Sequence, residues 1–579
     1  AGDRGRGRVG HACGVDADSK ELFDRGVADL TSRFDATVGL VRDPFLPERH
    51  SGHHSLWYAY ALLASGDIAL AEAIIERVLE LQELREDDPH HGNFRWHAED
   101  EAVVDLNACQ FVLEALVRLP LDKLRDDLCE CVLKAIRLAF VESARLDVHW
   151  TYTNIYLLDV HNRIVGGEIV GDRKVVTAGA ERLAEWARRT REVGAPHEFN
   201  SPTYAAVQLN CLADVGDRAT DADVRVLAIE MEERVWRHVA DYWHAPTMQL
   251  SGPHSRAYRR DVVGASGFLK VVLYKLLGDE RLLATTRYYE GPDAEGEMIV
   301  SGIEYHCPAD AREMFRAPAT QEVRETVALD PRVETTSLIT PKFALGTMSR
   351  PYGVGQPPEP WPMDSACVAY WRRDEAPGYG VLYSRYRMNA KAVGEQSRRE
   401  ASWHDIREDG TFRSAQEGGR AIVAYGMTPR GQRPISSLRL DVRMLGVSSG
   451  DVVGDGAGRF VMSDGDVYIG IVALGVEQLG HSESVVVWQD ADEAVISLVN
   501  YEGPAKVFWE YRSLAGPFWK GNVRNGFAVW VAARSEFASV AAFSTALAEA
   551  SVRHDVDGSR CRTAFGDVRL DYDLREMWP

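Results

Sequence analysis

The hydrophobic period of the chain changes once along its length, and that change constrains the fold more than any other feature. From Glu21 to about Gly278, apolar residues recur at i, i+3, i+4 and i+7, the spacing that sets one stripe of an α-helix against a core. The helical segments are Glu21–Arg33, Ser55–Leu63, Ala69–Leu84, Asp105–Val117, Asp122–Phe140, Asn154–Val170, Val175–Val193, Pro202–Leu212, Val224–Trp243 and Val262–Leu277. Beyond Thr336 the period becomes 2. Short runs such as Ser337–Thr347, Ala366–Trp371, Gly380–Arg387, Ser437–Leu445, Val467–Ala473 and Phe527–Ala533 are separated by turn residues, the pattern of an antiparallel sandwich.

A long succession of helices with no strand pattern between them predicts antiparallel hairpins, closed into an (α/α) toroid or stacked as an open solenoid. No repeat of fixed length is visible, which favours the toroid. The expected architecture is an α+β multidomain chain: a toroid over residues 1–290, a polar, Pro-containing linker over 291–335 and a β-sandwich over 336–579.

With 579 residues, 45% hydrophobic and 26% charged, the chain can bury large cores. A net charge of −21 argues against nucleic acid or an anionic membrane surface as a partner, although a local pocket can carry the opposite sign. No run of about 18 apolar residues occurs, so no membrane span is expected. The basic start Ala1–Gly10 lacks the apolar core of a signal peptide, although one could already have been removed. Cys109, Cys129, Cys131 and Cys211 lie inside apolar helical patterns, which favours free thiols and a cytoplasmic setting, with secretion as the alternative. Oligomerisation is left open.

Two familiar motifs carry no function. Gly5-Arg-Gly7-Arg-Val-Gly10 has no preceding strand to make it a dinucleotide loop. Gly446-Val-Ser448-Ser-Gly450 is followed by Asp451–Gly458, which cannot form the helix a nucleophile elbow requires. The histidines His50, His53, His54, His90, His91 and His97 cluster early but show no HExxH spacing. They read as pocket-lining or solvated residues, with a structural divalent metal as the lesser alternative.

Three loops read as more than connectors. The segment Asn93-Phe-Arg95-Trp96 leads to Glu99, Asp100, Glu101 and Asp105, an aromatic platform beside carboxylates that suits a glycan subsite, or else an acidic helix start. In His197-Glu198-Phe-Asn200-Ser201-Pro202-Thr-Tyr204, capping explains Ser201 and Pro202 but not His197, Glu198, Asn200 and Tyr204. Ser251-Gly-Pro-His254-Ser-Arg256-Ala-Tyr258-Arg259-Arg260-Asp261 adds a His, a Tyr and three Arg, the residues of proton transfer and carboxylate binding. The last two loops read as one active site.

A helical toroid followed by a β-sandwich, with Asn200, His254, Arg256 and Tyr258 in toroid loops, resembles the polysaccharide lyases of the heparinase II/III, alginate and chondroitin lyase type. The resemblance implies β-elimination on a uronic-acid-containing glycan without a cofactor. It makes Asn200, helped by Arg256, the neutraliser of the uronate carboxylate. His254 and Tyr258 become base and acid in an unassigned order, with Tyr204 in reserve. Substrate binding would fall to Trp96, Arg95, Asn93, Glu101, Asp105, His197, Asn154 and Arg259, and the β-region could add Tyr305, His306, Trp403 or His404. Two alternatives stand beside this. Glu198, Glu101, Asp105 and Glu168 are more carboxylates than elimination needs, so a glycoside hydrolase with Glu198 as acid is the second reading. A non-catalytic glycan-binding protein is the third.

Overall fold

The structure is a computed structural model that describes residues 17–264, 267–284, 294–317, 319–352, 364–375, 378–390, 410–427, 434–476, 485–507, 524–550 and 552–577. Gly5–Gly10, Trp403 and His404 lie outside the described residues. The chain is α+β: mainly helical as far as Met314, with short strand pairings within residues 34–51 and 243–250, then mainly antiparallel β from Gln321 onward with one further α-helix among the described residues, Val540–Glu549.

The helices are α1 (Ala17–Arg33), α2 (Gly52–Ser65), α3 (Ile68–Leu79), α4 (Ala108–Arg118), α5 (Asp126–Leu146), α6 (Thr153–His161), α7 (Gly167–Val170), α8 (Arg173–Val193), α9 (Tyr204–Arg218), α10 (Ala222–Tyr242), α11 (Arg259–Val262), α12 (Phe268–Leu277), α13 (Ala294–Ser301) and α14 (Ala309–Met314). A π-helical turn, Asn162–Gly166, joins α6 to α7.

Long and short connections alternate. Long loops of residues 34–51, 80–107 and 243–258 lead toward α2, α4 and α11, and shorter ones of residues 147–152 and 194–203 into α6 and α9. The turns after α2 and α7 are only Gly66-Asp67 and Gly171-Asp172. Each is a glycine at positive φ (93° and 72°) that ends one helix, followed by an aspartate whose side chain accepts from the first backbone N–H groups of the next. One residue stops and one residue starts, so the helices double back tightly.

Packing runs α2 on α4, α4 on α6, α6 on α9, α9 on α12, α12 on α13, and α13 back on α1 and α2. The apolar stripes meet in two cores. One includes Leu56, Trp57, Leu113 and Ile136, the other Leu158, Trp186, Leu209 and Trp236. The ends of α2, α4, α6 and α9 that receive the longer loops therefore share one side of the helical layer, which is how residues far apart in sequence are brought together.

The strands form an eight-stranded sheet in the order 485–490, 493–507, 434–445, 379–388, 367–372, 343–348, 332–339 and 321–329. A six-stranded sheet runs 410–417, 420–427, 524–533, 467–473, 459–464 and 453–454. Trp371, Leu382, Leu440 and Leu498 of the first share a core with Val423, Ile469, Phe527 and Val529 of the second. A three-stranded sheet of 552–557, 560–565 and 568–573 follows.

Residues 291–335, expected as a linker, instead carry α13, α14 and strands 321–329 and 332–339. The short amphipathic runs are interrupted by Pro308 and Pro331, which masked their periods. Tyr305 and His306, expected from the β-region, stand between α13 and α14. Cys131 is exposed rather than buried.

The loop of residues 251–264 is seated on the eight-stranded sheet. Ala257, Val262 and Val263 form a small core with Val368, Tyr370, Tyr379, Val381, Tyr383 and Leu445. At Gly346 the strand touches the loop so closely that an added Cβ would fall 1.8 Å from the Gly252 carbonyl oxygen. Gly346→Ala should therefore push the loop off the sheet, lowering stability in urea denaturation by about 1–3 kcal/mol, the usual range for overpacking. A variant with unchanged stability would show that the loop yields at little cost.

Candidate active site

Two loops, 196–204 before α9 and 251–261 around the start of α11, are stitched together along their length. Asn200 has φ of 49°, a left-handed conformation that asparagine tolerates better than most side chains. This turns its amide across to the other loop, where Nδ2 donates to the carbonyls of Ser251 (2.5 Å) and Pro253 (2.7 Å). In return, His254 Nδ1–H donates to the Asn200 carbonyl (2.8 Å). The Ser255 hydroxyl donates to the Phe199 carbonyl (2.7 Å), and the Ser201 hydroxyl to the Arg256 carbonyl. Thr203 donates to Asp261 (2.9 Å), whose other oxygen accepts the Tyr258 backbone N–H (2.9 Å).

Inside this seam lies an ion pair. Glu198 is 1% exposed and Arg256 2% exposed. Arg256 Nη1 donates to Glu198 Oε1 (3.0 Å). The Glu198 carboxylate also accepts the backbone N–H of Asn154 (2.7 Å) and its side-chain amide (2.8 and 2.7 Å). Asn154 stands in the first turn of α6, where free backbone N–H groups favour an anion. Burial pushes the Glu198 carboxyl above its ordinary range, against the pull of Arg256 and Asn154.

Three tyrosines surround the guanidinium. Its carbon sits 4.7 Å from the Tyr152 ring and 4.6 Å from the Tyr204 ring, a geometry in which cation–π attraction holds all three groups. Nη2 reaches toward the Tyr152 hydroxyl (3.5 Å), which also accepts from Asn107 Nδ2 (3.2 Å). The Tyr204 and Tyr258 hydroxyls are 2.5 Å apart. Burial raises the Tyr204 phenol well above its ordinary value, with Arg256 opposing. It raises Tyr152 in the same way. The cluster sets two phenols in one hydrogen bond beside a fixed cation, an arrangement through which a proton can pass from one phenol to the other.

The structure brings together Glu198, Asn200, Tyr204, His254, Arg256, Tyr258 and Asn154 and gives them the following partners. The Asn200 amide donors are engaged by backbone carbonyls, so in this arrangement it positions the loops rather than presenting its amide to a carboxylate. His254 is fully buried, with Nε2 3.3 Å from the Tyr370 hydroxyl. Burial holds it down at about 4, so the ring is neutral near pH 7 and serves the seam. Arg259 is drawn into the β-region by Glu493 (2.7 Å) rather than offered to a substrate. Glu168 accepts from Thr220, in the turn between α9 and α10, away from the loop-bearing ends.

The other expected residues lie mostly in the loop before α4, and most have partners of their own. Asn93 is buried and donates to Leu106 and Glu142. Arg95 donates to the carbonyls of Asp100 and Glu80. Trp96 packs on His53 and Phe111, and Glu101 and Asp105 are exposed. His197 stacks on Tyr352 at 4.2 Å and meets Trp150 edge-on at 5.2 Å. Among the described residues no group of three or more His, Cys, Asp or Glu could hold a metal ion. His50 and His97 instead face Glu99 and Asp43. A cavity of about 580 Å³ lies elsewhere, between Trp243, Met248, Leu282 and Phe315.

Tyr152 and Asn107 escaped the sequence reading. The signal that could have found them is positional: each lies just before or at the start of a helix whose entry loop faces the same side as Asn200 and Tyr258.

A family model described as a domain of unknown function, DUF8769, matches residues 123–297. No curated protein matches the chain by sequence. Among solved structures, a chain titled heparinase III is 10% identical over 96% of this chain and 91% of its own, with a TM-score of 0.34. A mutant of the chondroitin AC lyase of Streptomyces coelicolor A3 is 11% identical over 97% and 85%, with a TM-score of 0.42. The endoglucanase CelQ of Clostridium thermocellum, bound to cellobiose and cellotriose, is 9% identical over 91% and 94%, with a TM-score of 0.23. At identities and TM-scores this low, the chemistry has to be read from the site itself.

The buried neutral state of His254 has a consequence for stability. Its pKa lies below that of an unfolded histidine, near 6.5, so between about pH 6.5 and pH 4 the unfolded chain binds the extra proton and folding weakens as the pH falls. This one group contributes up to ~1.4 kcal/mol per pH unit in that window. Urea denaturation of His254→Gln should show a shallower acid slope than the parent. An identical slope would show that His254 charges without disturbing the seam.

Proposed function

We propose that the protein is a polysaccharide or oligosaccharide lyase that cleaves uronic-acid-containing glycans by β-elimination, with its helical part closed as an (α/α) toroid over roughly the first half and its two large sheets forming a sandwich. One observation carries the reading: the Tyr204 and Tyr258 hydroxyls lie within hydrogen-bond distance (2.5 Å), beside a guanidinium that packs on the Tyr152 and Tyr204 rings.

β-Elimination next to a uronate removes the proton at C5, forms the C4–C5 double bond and expels the oxygen at C4. It needs a base, an acid and positive charge nearby, and tyrosine can serve as both base and acid. In this reading Tyr258 is the base. Tyr258 enters the reaction as the phenolate, its own proton released to solvent; Tyr204, whose phenol burial keeps protonated, donates a hydrogen bond to that oxygen, and Arg256 supplies fixed positive charge beside it. The proton taken from C5 then passes from Tyr258 to the leaving oxygen, which restores the pair. Asn200 and His254 contribute by holding the two loops in register.

Hydrolysis through paired carboxylates is less well supported. It needs two carboxyl groups open to the substrate, whereas Glu198 is buried with its oxygens occupied by Asn154 and Arg256.

Incubation with a panel of uronate polysaccharides should generate the ultraviolet absorbance of an unsaturated uronate in step with new reducing ends. Tyr258→Phe should lower kcat by about 10²–10⁴-fold, the range of a lost general acid–base group, while substrate affinity stays near that of the parent. New reducing ends without absorbance would establish hydrolysis instead. Binding without turnover in the parent would leave a glycan-binding protein.

A further inference from the structure

Tyr258 is tied to the β-region as well as to the helices. The residue after it, Arg259, opens α11 and donates through Nη2 to Glu493 Oε1 (2.7 Å). Glu493 begins strand 493–507 of the eight-stranded sheet and is 1% exposed. The same Oε1 accepts the Tyr383 hydroxyl (2.8 Å), and Oε2 accepts Arg443 Nε (2.5 Å). Arg443 is held in turn by Asp490 and Asp441. Burial works against the Glu493 carboxylate, but Arg443 and Arg259 outweigh it and hold the group at about 2. The anion therefore persists at any ordinary assay pH.

The remainder of the Tyr258 loop meets the same sheet through neutral hydrogen bonds. Tyr370 donates to the Val262 carbonyl (2.7 Å), Tyr379 to the Val263 carbonyl (3.0 Å), and the His254 backbone N–H to the Ser365 hydroxyl (2.8 Å). Val262 and Val263 are packed on the sheet. Ala257, on the other side of Tyr258, is packed on the sheet as well, but by apolar contact alone; on the α11 side these contacts leave the residue adjoining Tyr258 without a polar anchor. The Arg259–Glu493 pair supplies one, at 234 residues' separation. A charge-assisted bond from a buried, already neutralised carboxylate is short and directional, so it fixes the α11 start more firmly than apolar packing alone.

We propose that Glu493 is a positioning residue for the tyrosine cluster: by holding Arg259 it sets the backbone at Tyr258 and so aims the Tyr258 phenol at Tyr204. The proposal rests on the catalytic reading of Tyr258 for its kinetic consequence only. The β-sheet is then part of the active centre without touching the substrate.

The test uses the full chain with Arg259→Met, Arg259→Lys and Glu493→Gln. Hydrogen–deuterium exchange is read across residues 254–263, and uronate turnover alongside it. In Arg259→Met, exchange should rise at 254–263 but not in α6 or α9, and kcat should fall about 10–100-fold with KM within about twofold, as expected for a group displaced by about 1 Å. Arg259→Lys, which keeps a charge for Glu493, should recover most of both. Glu493→Gln should match Arg259→Met, and the double variant should be no worse than either single one. If Glu493→Gln does not fold, the Arg259 pair of variants decides the matter, because Arg259 is partly exposed. Unchanged exchange at 254–263 in Arg259→Met overturns the proposal, as does a rise spread evenly over the helices or a failure of Lys to rescue. If the parent shows no turnover of any uronate glycan, the lyase reading falls while the exchange readout still judges the clamp.

Discussion

The buried pair of Glu198 and Arg256 is the interaction on which the site depends. Either charge alone in that position would cost several kcal/mol in desolvation. Together with Asn154 they satisfy one another, and the guanidinium so held packs on the rings of Tyr152 and Tyr204. The seam of Asn200, Ser201, Thr203, His254 and Ser255 exists around that pair, since each bond in it joins the loop carrying Glu198 to the loop carrying Arg256 or to the α11 start. Remove the register of the seam and the phenols no longer meet.

The β-region turns this paired loop into a fixed object. A loop of residues 251–264 carrying so many polar groups would ordinarily sit in solvent. Here its backbone carbonyls are met by Tyr370 and Tyr379 and its apolar side chains by Val368 and Val381. Gly346 allows the contact because any side chain there would strike the Gly252 carbonyl. The sheet thus supplies what the helices cannot, a flat surface against which an irregular segment finds partners for its backbone.

Much of this was legible in the chain. The two hydrophobic periods placed most long helices and central strands to within a few residues, because a period reports directly on which faces are buried. The loops 197–204 and 251–261 stood out for the same kind of reason: polar and aromatic residues in excess of what capping needs have some other partner. Short elements escaped. Strands 410–417 and 459–464 and helix Val540–Glu549 expose or share faces in ways a single period does not announce.

Roles were a different matter. Residue types predicted that Asn200, His254, Arg256, Tyr258 and Glu198 would be neighbours, and they are. That Asn200 spends its amide on two carbonyls, that His254 faces Tyr370, and that Arg259 answers to Glu493 depend on where long-range contacts direct each side chain, which no local pattern encodes. Tyr152 and Asn107 joined the cluster through the packing of α4 and α6 against α9. The sequence by itself determined the elements and the chemical inventory of the site, because periodicity and composition are local. Only the tertiary structure decided which phenols meet and which polar groups are consumed in holding them, because hydrogen bonding is exclusive and each donor serves the partner that packing brings within reach.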